Sequence, residues 1–159
     1  MPRIYVGTYA KYNSGSLEGA WLDLDEFYDK ASFYEACQEL HGPGDHEFMF
    51  QDWEGIPRPL IGESWVSDEL WDYMQHYASE EAKDAYVSLR GSWDADNFDE
   101  TYEGEFSSPA DWAEEFVEDI GLLSDVPDTI KMYFDYEAFG RDTMMNGSFS
   151  EHNGHYFSN

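Results

Sequence analysis

The sequence predicts an α+β protein, an elongated chain of three small modules. These are an N-terminal antiparallel sheet with one helix (residues 1–60), a central helical module (61–100), and C-terminal helices with a three-stranded antiparallel sheet (101–159). Three observations predict it. Strand-like alternation occurs toward both ends of the chain, and helical spacing dominates the middle. Phe, Trp and Tyr make up 18% of the 159 residues, enough large apolar groups to fold a very acidic chain and to exclude a disordered acidic tail. The charge is also not a block. Residues 1–60 hold 11 acids and 4 bases, 61–104 hold 12 and 2, and 105–159 hold 12 and 2, so every third must carry acids on the outside of folded elements.

The first module reads β-β-α-β. Arg3–Tyr9 is an apolar-rich strand, Tyr12-Asn13-Ser14-Gly15 is turn chemistry, and Leu17–Leu24 is a second strand with Ala20, Leu22 and Leu24 on one face. Ser32 and Glu35 form a capping-box pattern ahead of Phe33, Ala36, Cys37 and Leu40 at helical spacing, and His41-Gly42-Pro43-Gly44 stops that helix. Glu47–Trp53 alternates as a third strand, and Ile56-Pro57-Arg58-Pro59 reads as a linker. The outward acids here are Asp23, Asp25, Glu26, Asp29, Glu35, Glu39, Asp52 and Glu54.

In the middle module Ser67 can cap a helix in which Leu70, Met74 and Tyr77 share a face. Ser79 can cap a second helix with Ala82, Ala85, Tyr86 and Leu89 inside and Gly91 at its end. Trp93–Phe98 adds a short third helix. Helices this short are marginal alone and need neighbours. The outward acids are Glu63, Asp68, Glu69, Asp72, Glu80, Glu81, Asp84, Asp94, Asp96, Asp99 and Glu100.

In the last module Thr101–Phe106 alternates as a strand, with Tyr102 and Phe106 on one side. Pro109–Ile120 is the clearest helix. Ser108 is its N-cap, Pro109 its first residue, Asp111 its box partner and Gly121 its stop. Trp112, Ala113, Phe116, Val117 and Ile120 form the inner stripe, and Asp111, Glu114, Glu115, Glu118 and Asp119 the outer one, joined by Glu103 on the preceding strand. A second helical stretch runs from Pro127 through Ile130, Tyr133 and Phe134. Gly147–His152 and His155–Ser158 flank Asn153-Gly154, a type I′ hairpin signal.

Eight Lys and Arg against 35 Asp and Glu leave a net charge of −27, which repels phosphates and disfavours binding to nucleic acid or to anionic membranes. No stretch approaches the roughly 18 apolar residues of a membrane span. Cys37 is the only cysteine and Met1–Ala20 lacks the apolar run of a signal peptide, so a reducing, cytoplasmic setting is expected. Cys37 lies on an apolar stripe and reads as a buried thiol. No phosphate-binding, dinucleotide, zinc-protease or nucleophile-elbow motif occurs. Asp94–Asp99 resembles a calcium loop only faintly, because Phe98 stands where an oxygen is needed and Asp99 where the turn glycine belongs. His152 and His155 are too few for a closed zinc site. No cofactor or metal is expected.

With so many carboxylates, some pair falls at glycosidase spacing in any fold, so a carbohydrate-active acid-base enzyme stays open as an alternative. It explains two acids and not the rest. An acidic chaperone for basic proteins is a second alternative, although it predicts acid in flexible arms more than on helix faces. A salt-adapted surface explains the acid and not the aromatics. Imitation of the DNA backbone is the reading that calls for dispersed negative charge on ordered helix faces. Helix positions i, i+3 and i, i+4 rise about 4.5 and 6 Å, comparable to the roughly 3.4 Å phosphate advance of one DNA strand. At one charge per ~1.7 Å of duplex axis, −27 matches about 46 Å, or about 13 base pairs.

Two groups of short motifs carry a family resemblance. One is Ile4-Tyr5-Val6 followed by Lys11-Tyr12-Asn13, Gly15, Leu17 and Gly19-Ala20-Trp21. The other is Val126-Pro127, then Asp135-Tyr136, Ala138, Gly140-Arg141-Asp142, Gly147 and Phe149. In this order, in an acidic chain of this size, they resemble the ArdA antirestriction proteins over essentially the whole length; the middle module resembles the family mainly in acidity and helix content. The resemblance implies a non-catalytic mimic of bent B-form DNA that occupies the DNA-binding groove in the methyltransferase core of type I restriction-modification enzymes. It also implies carriage on mobile elements and a homodimer formed through the C-terminal part. Gly121-Leu122-Leu123-Ser124 resembles a motif the family shares at or near the subunit contact, which makes Leu122, Leu123, Val126 and Tyr133 the candidate dimer residues. From the residues alone, the same stretch reads equally as a helix end and an apolar loop in a core.

Overall fold

A computed structural model describes all residues, 1–159, as mixed helix and strand with two three-stranded antiparallel sheets. The chain divides into two compact units, Met1–Tyr77 with Gly91–Ala95, and Ala78–Arg90 with Asp96–Asn159.

The first unit is built on β1 (Arg3–Thr8), β2 (Ala20–Asp23) and β3 (Phe48–Glu54), in the order β2-β1-β3. Ile4 and Val6 point into the core with Leu24, Phe33, Cys37, Phe50 and Leu70, all essentially without exposure. Phe33 is the hub, with the rings of Phe27, Tyr34, Phe50 and Trp71 between 5.6 and 5.8 Å away. A five-residue helix, α1 (Tyr9–Asn13), replaces the expected turn because the Thr8 hydroxyl caps it by accepting from Lys11 N. The second strand is shorter than its alternation suggests, and Leu24 enters the core from a 3₁₀ turn, Leu24–Glu26.

Helix α2 (Lys30–His41) begins before the Ser32 box predicted from sequence. Asp29 is the N-cap: its carboxylate accepts from Ser32 N at 2.8 Å, and the Ser32 hydroxyl accepts from Asp29 N at 3.2 Å. A carboxylate at the positive end of the helix is the stronger cap, and starting there adds a turn. Residues 56–59 are not a linker. Pro57 leads a 3₁₀ turn at Arg58–Leu60, and Ile56, Leu60 and Ile61 are buried, so apolar burial draws the segment into the unit. Helix α3 (Leu70–Gln75) has a different inner face from the one expected. Leu70, Trp71 and Tyr73 are buried, while Tyr77 is exposed because the helix ends at an extended His76.

The second unit holds α4 (Glu80–Arg90), α5 (Ala95–Thr101), β4 (Tyr102–Glu105), α6 (Pro109–Asp119), α7 (Asp128–Lys131), α8 (Tyr136–Met145), β5 (Phe149–His152) and β6 (His155–Ser158). Its strand order is β4-β6-β5, so β6 is central and His155, Tyr156 and Phe157 are buried on both faces. Tyr156 faces the rings of Phe106 and Trp112, while Phe157 faces Tyr86 and Phe98. One helical layer therefore covers each face of the sheet. The predicted hairpin forms, with Asn153 at φ +50° and Gly154 at φ +84°.

The expected strand at 101–106 is corrected. Thr101 ends α5, and the register shifts between Tyr102 and Gly104. That bulge sends Tyr102 toward Phe157 and Phe106 toward Tyr156, on opposite faces rather than the same one. Helix α6 is capped by Ser108 as predicted, its hydroxyl accepting from Asp111 N at 3.1 Å, and Gly121 follows at φ +67°. Trp112, Ala113 and Val117 are buried, but Ile120 is 56% exposed because the helix has already ended. The helix expected from Pro127 through Phe134 is only the four-residue α7. The longer α8 was not foreseen; Asp135 caps it by accepting from Ala138 N at 2.9 Å.

Candidate functional site: an acidic surface

Every one of the 35 Asp and Glu residues is exposed. This is the central feature of the molecule, since any fold could have placed one carboxylate in a cleft. The predicted positions are all outside: Asp23, Asp25 and Glu26 around the first 3₁₀ turn, Asp29 before α2 with Glu35 and Glu39 on it, Asp52 and Glu54 on β3, Glu63, and Asp68, Glu69 and Asp72 before and on α3. Glu80, Glu81 and Asp84 line the outer side of α4, and Asp94, Asp96, Asp99 and Glu100 lie before and on α5. Asp111, Glu114, Glu115, Glu118 and Asp119 cover α6, with Glu103 on β4. Ten exposed acids fell outside that expectation, among them Glu18, Asp45, Glu105, Glu137 and Glu151. Most sit in loops or on elements without a clear amphipathic period, so only their residue type could have signalled them.

The acids differ in what they do locally. Arg3 Nε meets Glu54 at 2.8 Å, which holds the Glu54 carboxyl below its usual range, and Lys30 meets Asp68 at 2.7 Å. Asp29 caps α2, Asp52 accepts from Trp53 N at 2.8 Å, and Asp72 accepts from Trp93 Nε1 at 3.0 Å. Glu69 accepts from the Ser67 hydroxyl. Eight Lys and Arg cannot neutralise 35 carboxylates, so most of the acidic surface faces water without a cation of its own.

Helix α6 concentrates the charge. Its five acids stand at i, i+3 and i, i+4 spacings, and none of its residues is basic. Open grooves surround it. One of about 440 Å³ is lined by Phe106, Asp111, Glu114, Glu115 and Glu118, and one of about 160 Å³ by Glu103, Glu115 and Asp119 over the rings of Phe106, Trp112 and Phe116. Partial enclosure first, and Asp119 second, raise the pKa of Glu103. Asp96 and Asp99 lie on a helix rather than in a calcium loop, and no cluster of three or more His, Cys, Asp and Glu is placed to hold a metal ion.

The candidate dimer residues lie together in sequence and at the surface. Leu122 is 48% exposed and Tyr133 79%, while Leu123 and Val126 are half-buried. Ile130 and Met132 add to the exposed apolar groups of this segment. No helix is long and apolar enough to cross a membrane.

Comparison with the curated proteins gave no match. The family model described as antirestriction protein (ArdA) matches residues 4–158. With all but the terminal residues covered, this chain belongs to the ArdA family of antirestriction proteins, whose members act against restriction enzymes.

Proposed function

We propose that the protein blocks restriction by imitating DNA: its carboxylates stand in for phosphates in the basic DNA-binding groove, in the methyltransferase core, of a type I restriction-modification enzyme. It acts there as a competitive, non-catalytic inhibitor in the cytoplasm, on behalf of a mobile element. The observation that carries this reading is the exposure of all 35 acids, which a single-site enzyme does not need and a polyanion mimic does. Helix α6 supports it further, because carboxylates rising about 4.5–6 Å apart approximate the spacing of a phosphate strand. Two copies joined through Leu122, Leu123, Val126 and Tyr133 would double the length of duplex imitated.

The test is a DNA-cleavage and methylation assay with a type I enzyme, titrating this protein against substrate DNA. Inhibition relieved by added DNA is the expected result. Absence of inhibition at stoichiometric excess, or inhibition that excess DNA fails to relieve, would refute the competitive mechanism.

A further inference from the structure

Helix α1 and the end of α2 meet through two side chains that the acidic surface does not use. His41 is half-buried, and both of its ring nitrogens are engaged. Nε2 lies 3.0 Å from the carbonyl oxygen of Val6 on β1, and Nδ1 lies 3.0 Å from Lys11 Nζ on α1. A carbonyl only accepts, so Nε2 carries the hydrogen. An ammonium only donates, so Nδ1 presents its lone pair. The two partners select one neutral tautomer of the ring.

We infer that Lys11 and His41 form a proton-sensitive clasp that pins α1 to the end of α2, closed while His41 is neutral and opened when Nδ1 takes a proton. Protonation would aim an N–H at an ammonium 3.0 Å away and set two like charges side by side, so the hydrogen bond cannot survive it. Lys11 has another partner within reach, the Glu18 carboxylate at 3.9 Å. Helix α1 has only five residues, too few to hold itself by its own hydrogen bonds, so contacts with its neighbours decide whether it stays formed.

The charged groups facing His41 are few. Helix α1 contributes Lys11, the segment after it Glu18, and the segment before β3 His46, whose ring centre is 6.0 Å away. From β1 comes the Val6 carbonyl, and from β3 the Phe48 ring at 6.1 Å. Burial is the largest influence and lowers the His41 pKa. Lys11 and His46 lower it further, the Val6 carbonyl and Glu18 oppose them, and the balance lies below the ordinary value. The unfolded chain therefore takes the proton first as pH falls. The contribution of this site to stability is whole above about pH 6.5 and is lost as pH drops from there toward the folded value.

The test uses the full chain labelled with ¹⁵N-histidine, followed by long-range ¹H–¹⁵N correlation spectra between about pH 5 and 8. His41 is expected as the Nε2–H tautomer at the upper end, with a midpoint below that of the denatured chain. Exchange protection of the Ser14 and Ser16 amides, which bond to carbonyls of α1, is expected to fall along the same titration once intrinsic rates are removed. Lys11→Met should raise the midpoint. His41→Gln, whose amide can donate to Val6 and accept from Lys11 without titrating, should hold α1 protection constant across the range. An Nδ1–H tautomer, a midpoint at or above the denatured value, or α1 protection that ignores the His41 titration in the unmodified protein would overturn the clasp.

Discussion

Gly140 packs where no side chain fits. It lies on α8 against α6, and a Cβ there would overlap the carbonyl of Pro109, the first residue of α6. Gly140→Ala is therefore expected to push the two helices apart and to cost about 1–3 kcal/mol of stability, read from urea unfolding. Cys37 marks the opposite situation, a residue whose chemistry is silenced by its surroundings. Burial raises its thiol pKa to about 12, so almost no thiolate forms at neutral pH. Native protein is expected to resist iodoacetamide and denatured protein to react; modification at equal rates in both would contradict the buried position. At single acids such as Glu115, by contrast, neutralisation to Gln should change inhibition only slightly, since each carboxylate is one charge among many. A lone Asp→Asn substitution that abolished inhibition would instead point to a catalytic acid.

At the scale of the element, α6 carries a conflict between folding and charge. Glu118 and Asp119 sit in its last turn, where the helix dipole favours cations, and Asp111, Glu114, Glu115 and Glu118 repel one another along the outer face. Glu118→Lys and Asp119→Lys are each expected to raise stability by roughly 0.3–1 kcal/mol while weakening inhibition. The paired readout separates the two effects: a loss of stability would show that these acids make contacts the fold needs. On the inner face, Trp112 is buried among Phe116, Phe149 and Tyr156, with ring centres 4.7 to 6.2 Å away. Trp112→Ala is expected to cost about 3–5 kcal/mol of stability, read from urea unfolding. The stability of α6 thus rests on its buried stripe, which leaves the outer face free to be uniformly acidic.

For the whole molecule, the net charge of −27 makes ionic strength the controlling variable. Salt screens self-repulsion, so the melting temperature is expected to rise between low and moderate NaCl. Over the same range, inhibition of a type I enzyme should weaken steeply, because counterions released on binding make affinity depend on log salt. A flat salt response in inhibition would remove the electrostatic mechanism. Assembly is tested separately. A charged residue at Leu122 or Leu123 is expected to shift sedimentation from dimer to monomer while each subunit still inhibits, more weakly; unchanged sedimentation would place the contact elsewhere.

From sequence alone, the α+β class, the α6 cap, the α6 stripe up to Val117, the 153–154 hairpin and the outward acids were legible, whereas Ile120, read as the last residue of that stripe, lies past the helix end and is exposed. These features rest on local chemistry: a hydroxyl before Pro109, positive φ at Asn153 and Gly154, and the cost of burying any of 35 carboxylates. Tertiary packing decided the rest. Asp29 displaced Ser32 as a cap, residues 56–61 folded into a core instead of linking, a bulge turned Tyr102 and Phe106 to opposite faces, and α8 formed against α6. Each of those choices compares local alternatives of nearly equal energy, and burial against residues distant in the chain tips the balance where spacing along the chain cannot.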